Sequence, residues 1–127
     1  MKLNYLSKWN NSRRKVANYY NDLISELGLQ IPITNDEKRH AYHLYVTQVQ
    51  NRDKVVQEMK THGIGVGIHY PIAIPFLRAY KNLGYQPKDF PVTYKQMHCL
   101  VSLPLYPEIT TKQIHYTVDC LKDSLRG

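Results

Sequence analysis

The stretch that decides the fold is Gly63-Ile64-Gly65-Val66-Gly67-Ile68-His69-Tyr70-Pro71. It begins at a glycine of the kind that ends helices, and apolar residues then alternate with small or polar ones as far as the proline. An alternation with a period of two is typical of a short β-strand. We therefore predict a strand over this stretch, with one apolar face and one nearly bare face.

The bare face of this predicted strand carries Gly65 and Gly67 beside His69. Glycine inside a strand costs stability, so two glycines on one face favour the close approach of another backbone, a ligand or a partner. The alternative is a strand packed under a helix, with His69 as a buried, hydrogen-bonded residue whose truncation costs about 1–3 kcal/mol. We expect His69 to face a cleft instead, so that its truncation costs little.

The length of 127 residues favours one domain with a modest core. The net charge of +7 favours an anionic partner, and five of the seventeen basic residues lie within the first fifteen positions. However, Arg13, Arg14 and Lys15 are consecutive, so on a helix they spread over about 200° and form no stripe. Because no known reading module accompanies the charge, we rank nucleic acid last among the candidate partners.

The two cysteines, Cys99 and Cys120, show no paired-ligand spacing, and no secretory leader pattern opens the sequence. We therefore expect a reduced, cytoplasmic protein with Cys120 as a small core residue. No apolar run approaches the roughly 20 residues that a membrane helix needs, so we expect no membrane partner. His40 and His43 invite a metal interpretation, but residues three apart in a strand point to opposite faces, so we expect no metal site.

The order of elements predicted along the chain is helix, strand, helix, strand, an irregular helical stretch, strand and helix. We treat 1–127 as a single domain, with a long connecting helix over 1–28 and a sheet-and-helix body over 40–127. The local signals in the body are a strand over 42–49, a helix cap at Asn51, a short helix around Phe76 to Tyr80, a helix start at Pro91, a strand over 100–103, and a capping box of Thr110 and Gln113 before the last helix.

The first helix carries more apolar surface than the body should cover. Its regular apolar face ends at Gly28, the glycine at which we predict the helix to end. Near its start, Leu3, Leu6 and Trp9 extend the apolar strip further. We expect this end of the helix to need a partner, because monomeric proteins rarely expose large contiguous apolar patches.

Eight short motifs occur in order over most of the chain. They are His43-Leu44-Tyr45-Val46, Asn51-Arg52-Asp53, Gly63-Ile64-Gly65, His69-Tyr70-Pro71, Ala79-Tyr80, Leu83-Gly84-Tyr85, Phe90-Pro91 and Ser102-Leu103-Pro104-Leu105-Tyr106-Pro107. Together they resemble the C-terminal domain of the DegT/DnrJ/EryC1/StrS family, the pyridoxal-phosphate-dependent nucleotide-sugar aminotransferases.

This resemblance implies an α/β (α+β-like) fold: a small, mostly antiparallel or mixed sheet of about three strands with helices packed on it. That is the small C-terminal domain of aspartate-aminotransferase-type (fold type I) enzymes. It also implies pyridoxal phosphate (PLP) for an intact parent that transfers an amino group from glutamate to a keto-sugar nucleotide. The implied substrate-binding residues are His69 and Tyr70, at the sugar end of the site, with Tyr80 on the loop that follows.

The family's catalytic lysine and its cofactor-binding residues belong to its large domain, so the resemblance assigns no catalytic or cofactor-binding residue to this chain. A lysine can hold PLP covalently only when it is desolvated or otherwise tuned and the cofactor is cradled. We therefore expect the chain alone to bind no cofactor and to be inactive. The implied partner is a large PLP-binding domain, in cis or in trans, or a second copy through the first helix.

The chain also departs from the family pattern in two places. The family's loop after His-Tyr-Pro continues with a histidine and a Gln-Pro pair, whereas this chain has an apolar loop over 73–78. The family has Ala and Glu before the last strand, where this chain has Thr93 and Tyr94. Three interpretations stay open: part of a transaminase, a free-standing interaction or regulatory domain that has kept the scaffold, and a basic nucleic-acid or nucleotide binder.

Overall fold

The computed structural model describes residues 2–35 and 38–126, and within them helices surround a small sheet. The helices and strands, in chain order, are α1 (Leu3–Ser25), β1 (Tyr45–Gln48), α2 (Arg52–Thr61), α3 (Pro91–Gln96), β2 (Leu100–Leu103) and α4 (Thr111–Arg126). Between α2 and α3 the chain forms 3₁₀ turns at Ile74–Phe76, Arg78–Leu83 and Pro87–Asp89. The prediction of one short helix around Phe76 to Tyr80 was therefore wrong in type, because two of these turns divide that stretch at Leu77.

The sheet consists of β1 and β2, which pair antiparallel with Tyr45 opposite Leu103 and Gln48 opposite Leu100. α4 packs against α2 and α1. Isolated bridges join Gln30 to Gln48 and Gly67 to Ser102. The predicted class, a small antiparallel sheet with helices packed on it, is confirmed, but the described sheet has two strands where about three were predicted.

The missing third strand is the one predicted over 64–70, and its loss has a local cause. Gly67 exchanges both backbone hydrogen bonds with Ser102, at 3.0 and 2.8 Å. In an antiparallel register the next hydrogen-bonded pair would set Gly65 opposite Pro104. Proline has no N–H to donate, so the pairing cannot continue on the Gly65 side of the bridge.

The core contains buried side chains from α1, β1, α2, β2 and α4. Tyr20 of α1 and Tyr45 of β1 are fully buried, and their ring centroids are 5.0 Å apart. Each hydroxyl is satisfied: Tyr20 donates to the Pro104 carbonyl at 2.9 Å and Tyr45 to the side chain of Asn21 at 2.8 Å. Burial raises the pKa of Tyr20 from its usual 10 to about 12, and burial likewise raises the pKa of Tyr45.

The helix ends follow the sequence signals with one exception. The capping box before α4 is confirmed, since the Gln113 side chain accepts from the Thr110 N–H at 2.9 Å and Thr110 Oγ1 accepts from the Gln113 N–H at 3.3 Å. Gly28 has a φ of +67°, the conformation expected of a glycine that follows a helix. Asn51 does occupy the position before α2, as predicted, but it lies in a left-handed conformation and its side chain makes no capping hydrogen bond.

Two parts of the chain lie outside the core. In α1 no described residue before Val16 is buried; Leu3 is 79% exposed and Leu6 45% exposed. Between Pro71 and His98 no side chain is buried either. Among the described residues, no helix is long and apolar enough to cross a bilayer.

Candidate functional site

His69 lies where the 63–71 stretch meets β2. Its Nδ1 is 2.8 Å from Oγ of the buried Ser102, and its side chain is half-buried. A Cβ added to Gly67 would come within 2.7 Å of His69 Cε1, so the histidine ring itself fills the space beside that glycine. The prediction that both glycines leave a free face is therefore wrong at Gly67, whereas no atom lies within 4 Å of the Cβ position of Gly65.

The Ser102–His69 pair has the donor–acceptor distance of a serine nucleophile and its base, but not the surroundings. The Ser102 side chain is 4% exposed, and its backbone N–H and C=O are both paired with Gly67. A nucleophile needs access to substrate, so this pair is structural. The Nε2 of His69 has no hydrogen-bond partner among the described residues, which leaves it as the ring atom that can bind a ligand.

The structure brings two of the three predicted binding residues together and leaves the third apart. The rings of His69 and Tyr70 meet edge to face at 5.7 Å, and Tyr70 is 73% exposed. Tyr80 instead lines a cavity of about 540 Å³ on the 3₁₀ turns, beside Arg78 and Tyr85. Neither His69 nor Tyr70 lines that cavity.

An aromatic cluster that the sequence analysis missed supports the wall of this cavity. Phe76 meets Tyr94 edge to face at 5.5 Å, and Tyr85 meets Phe90 at 5.1 Å. Phe76 also contacts Phe90, at 6.5 Å. The spacing of Tyr85, Phe90 and Tyr94 along the chain gives a weak signal, because aromatic residues at four- or five-residue intervals are common in unrelated folds.

Arg52 links the start of α2 to the end of α3. Its side chain is 8% exposed, although arginine is rarely buried. It donates to the Met97 carbonyl after α3, and it makes a two-point contact with Asp53 through Nε and Nη2, both at 2.8 Å. This explains the Asn51-Arg52-Asp53 motif: Arg52 anchors the end of α3 to the start of α2.

The described residues offer no set of ligands for a metal. The rings of His40 and Tyr42 are tilted by 49° with their centroids 4.2 Å apart, and His40 Nδ1 accepts the Tyr42 N–H at 2.9 Å. For PLP the decisive group is a desolvated lysine. All the lysines lie in the described part of the chain and all are exposed, so the residues present do not fit a covalent PLP site.

Comparisons with known proteins place this fold in a family. The family model for the DegT/DnrJ/EryC1/StrS aminotransferase family matches residues 1–122. The chain is 30% identical over 123 residues to the erythromycin biosynthesis sensory transduction protein EryC1 of Saccharopolyspora erythraea, covering 96% of this chain and 34% of the relative. It is 32% identical over 122 residues to the dTDP-3-amino-3,6-dideoxy-alpha-D-galactopyranose transaminase of Aneurinibacillus thermoaerophilus, covering 95% of this chain and 33% of the relative.

Solved structures agree in fold. A DegT DnrJ EryC1 StrS aminotransferase from Brucella abortus superposes with a TM-score of 0.88 at 23% identity, covering 99% of this chain and 34% of that protein. The PLP form of the putative sugar aminotransferase Spr1654 from Streptococcus pneumoniae gives 0.87 at 24% identity, covering 98% and 33%. The chain therefore shares the fold of these proteins over about a third of their length.

This chain belongs to the DegT/DnrJ/EryC1/StrS aminotransferase family. It spans about a third of the length of the curated relatives that it matches.

Proposed function

We propose that this chain serves as the C-terminal small domain of a PLP-dependent nucleotide-sugar aminotransferase and that it takes part in amino transfer only with a large PLP-binding domain, in cis or in trans. The observation that carries the proposal is that every lysine of the chain is exposed, although the chain belongs to a family of aminotransferases. An exposed lysine keeps its hydration and has no fixed cradle for the cofactor's ring and phosphate.

In this proposal His69 and Tyr70 line the sugar end of the site. His69 is positioned by Ser102 through Nδ1, which leaves Nε2 for a sugar hydroxyl. Tyr70 is largely exposed and presents both a ring and a hydroxyl. Tyr80 contributes through the separate cavity on the 3₁₀ turns. The two free cysteines among the described residues are compatible with a reduced, cytoplasmic setting, which is part of the proposal.

A second candidate is an interaction or regulatory domain that has kept the scaffold. The apolar loop over 73–78 favours it, since this loop replaces polar groups that the family pattern carries. Two relatives also bear regulatory names: EryC1, and the pleiotropic regulatory protein of Geobacillus stearothermophilus, which is 28% identical over 129 residues.

The first prediction tests whether the chain alone can bind PLP through a lysine and transfer an amino group. When the purified chain is mixed with PLP and borohydride, we expect no adduct at a specific lysine, as measured by peptide mass spectrometry, and no amino transfer from glutamate to a keto-sugar nucleotide. A stoichiometric adduct at one lysine together with turnover would contradict the proposal.

A chimera separates the two candidates. The matching third of the Aneurinibacillus transaminase is replaced by residues 1–122 of this chain, and turnover is measured with that enzyme's own substrate. We expect activity, with a raised KM in His69→Ala and an unchanged KM in His98→Ala, an exposed histidine next to α3. A folded, PLP-loaded chimera without turnover would favour the regulatory candidate.

A further inference from the structure

A cavity lies beside Gly65 and Pro104, where the pairing of the 63–71 stretch with β2 cannot continue. Its volume is about 480 Å³, within the range of pockets that hold small molecules. Besides Gly65 and Pro104, its lining includes the side chains of Tyr106, Gln113 and Tyr116. Because Gly65 and Pro104 do not pair, the two segments leave this space between them and the first turns of α4.

The lining of this cavity is neutral. No charged side chain among residues 2–35 and 38–126 lines it, although the chain as a whole has a net charge of +7. An ionised ligand would find no opposite charge in the lining to offset the loss of its hydration. The cavity therefore favours a ligand without charge.

Two tyrosine rings form part of the lining. The hydroxyl of Tyr116 donates to the His62 carbonyl at 3.1 Å, which holds the ring between α4 and the end of α2. Tyr106 is 40% exposed, and its hydroxyl makes no hydrogen bond within the described residues. Tyrosine rings provide flat apolar contact area at a low entropic cost. The pair thus favours a ligand that has a flat apolar face.

The lining also offers hydrogen-bonding groups that the described residues do not use. Oε1 of Gln113 accepts from the N–H and from the hydroxyl of Thr110, both at 2.9 Å, so its Nε2 remains as a donor without a partner. The N–H and C=O of Gly65 make no hydrogen bond, and nothing lies within 4 Å of the position that its Cβ would occupy. A ligand with several hydroxyl groups can use both the donors and the acceptor.

An added β-strand from a peptide is the main alternative for the Gly65 backbone. However, the Ile64 N–H donates to the Met59 carbonyl and the Ile64 carbonyl accepts from the Val66 N–H, both at 3.0 Å. Within 63–67, Gly65 alone therefore keeps both backbone groups free. A single residue is too short an edge for strand addition.

We propose that this cavity is a binding site for a neutral carbohydrate ring. A sugar ring combines a flat C–H face, which would pack against Tyr106 and Tyr116, with uncharged hydroxyl groups, which would bond to Gln113 Nε2 and to the Gly65 backbone. Neither His69 nor Tyr70 lines the cavity, so this site is separate from the one proposed above and does not depend on it.

Titration of the isotope-labelled full chain with methyl β-D-glucopyranoside tests the site by nuclear magnetic resonance. We expect saturable shifts of the Gly65 amide and of the Gln113 side-chain amide, with a dissociation constant of about 1 mM. His69→Ala should leave the shift of Gly65 unchanged, because His69 does not line the cavity. Loss of the shift in this variant would overturn the proposal and assign the glycoside to the His69 site.

Two variants test the groups that would hold the ring. Tyr106→Ala should weaken binding at least about fivefold, because the packing face is lost. Its matched control is Tyr94→Ala, since Tyr94 is 39% exposed but does not line the cavity, and its effect should be less than about twofold. Gln113→Glu keeps the acceptor of the capping box and removes the amide donor, so it should weaken binding about threefold or more.

Three further results would overturn the proposal. The first is the absence of a saturable shift at Gly65 in the wild type. The second is equal weakening by Tyr106→Ala and Tyr94→Ala, which would mean that the binding is not localised to the cavity. The third is tighter binding of indole than of the glycoside, unchanged by Gln113→Glu, which would indicate a purely apolar pocket. Circular dichroism of each variant checks that it is folded.

Discussion

The contact between His69 and Gly67 makes two neighbouring positions depend on each other. A methyl group added to Gly67 would lie 2.7 Å from Cε1 of the His69 ring, which is too close for two carbon atoms. The ring cannot move away freely, because Ser102 holds its Nδ1 at 2.8 Å. The ring of His69 therefore accounts for a glycine at position 67, without a ligand at that place.

The second prediction follows at this scale. Gly67→Ala should destabilise the chain by about 1–2 kcal/mol, because the methyl group displaces the His69 ring and leaves the buried Ser102 hydroxyl without its partner. Gly65→Ala is the matched control and should change stability by less than about 0.5 kcal/mol, since its added Cβ meets nothing within 4 Å. Urea unfolding measures both.

The double variant of Gly67→Ala and His69→Ala shows whether the cost of the first change depends on the His69 ring. In a His69→Ala background the cost of Gly67→Ala should fall close to zero, because the clash is gone. Additive costs would show that the strain at Gly67 arises from its backbone and not from the ring. The same series reports the cost of His69→Ala alone, which a cleft-facing ring would make slight and which the Ser102 bond should raise to about 1 kcal/mol.

At the scale of elements, α1 is joined to the sheet by two buried tyrosines. The hydroxyl of Tyr20 donates to Pro104, at the end of β2, and its ring packs on Tyr45 of β1. Deprotonating either phenol would place a charge in the core. Burial is the largest cause of the raised pKa of each.

The third prediction is a loss of stability in alkali. Unfolding returns the pKa of Tyr20 from about 12 to its usual 10. Between about pH 10 and pH 12 the unfolded state therefore binds fewer protons than the native state, so the free energy of unfolding falls as pH rises, by about 1.4 kcal/mol per pH unit for each such tyrosine. Below pH 10 this contribution should be fully present and constant.

Comparison with Tyr20→Phe isolates the effect from the titration of exposed groups. The variant should be less stable at pH 8 by about 1 kcal/mol, since the Pro104 carbonyl loses its donor. Its stability should fall less steeply than that of the wild type above pH 10. Parallel pH profiles for the two proteins would show that Tyr20 does not titrate as its burial requires.

The elements that the sequence predicted correctly are those whose signals are local. The strand Leu100–Leu103 and the Thr110–Gln113 capping box depend on neighbours within four residues, and both are confirmed. The strand predicted over 64–70 is reduced to the single bridge of Gly67 with Ser102, because the same register sets Gly65 opposite Pro104, a residue distant in the sequence that has no N–H to donate. The position of the His69 ring beside Gly67 likewise arises only from packing, which the hydrophobic periodicity of a sequence does not report.

At the scale of the whole molecule, the first half of α1 extends beyond the core. Leu3 and Tyr5 are exposed, at 79% and 57%, and Tyr5 stacks on Trp9 with ring centroids 5.8 Å apart. The expectation named Leu3, Leu6 and Trp9: Leu3 and Leu6 are exposed, whereas Trp9 is half-buried. What covers them stays a prediction, with a large domain or a second copy as the candidates.

The fourth prediction concerns this apolar end. Sedimentation analysis of the chain alone should show concentration-dependent self-association, and Leu6→Ser combined with Trp9→Ser should abolish it, because an exposed apolar face is favourable to bury. Val92→Ser is the matched control, as Val92 is 66% exposed but lies on α3, away from this helix. A wild type that stays monomeric at high concentration would contradict the prediction, as would an equal effect of the control.

The segment between Pro71 and His98 has no buried side chain, so the chain can be cut there without loss of the core. β1 precedes this segment and β2 follows it, and the antiparallel pairing of these strands, with the core beneath them, holds the two flanking portions together. A protease that cuts at the exposed Arg78 or Lys81 breaks no buried contact. The nicked product should stay folded as two associated fragments.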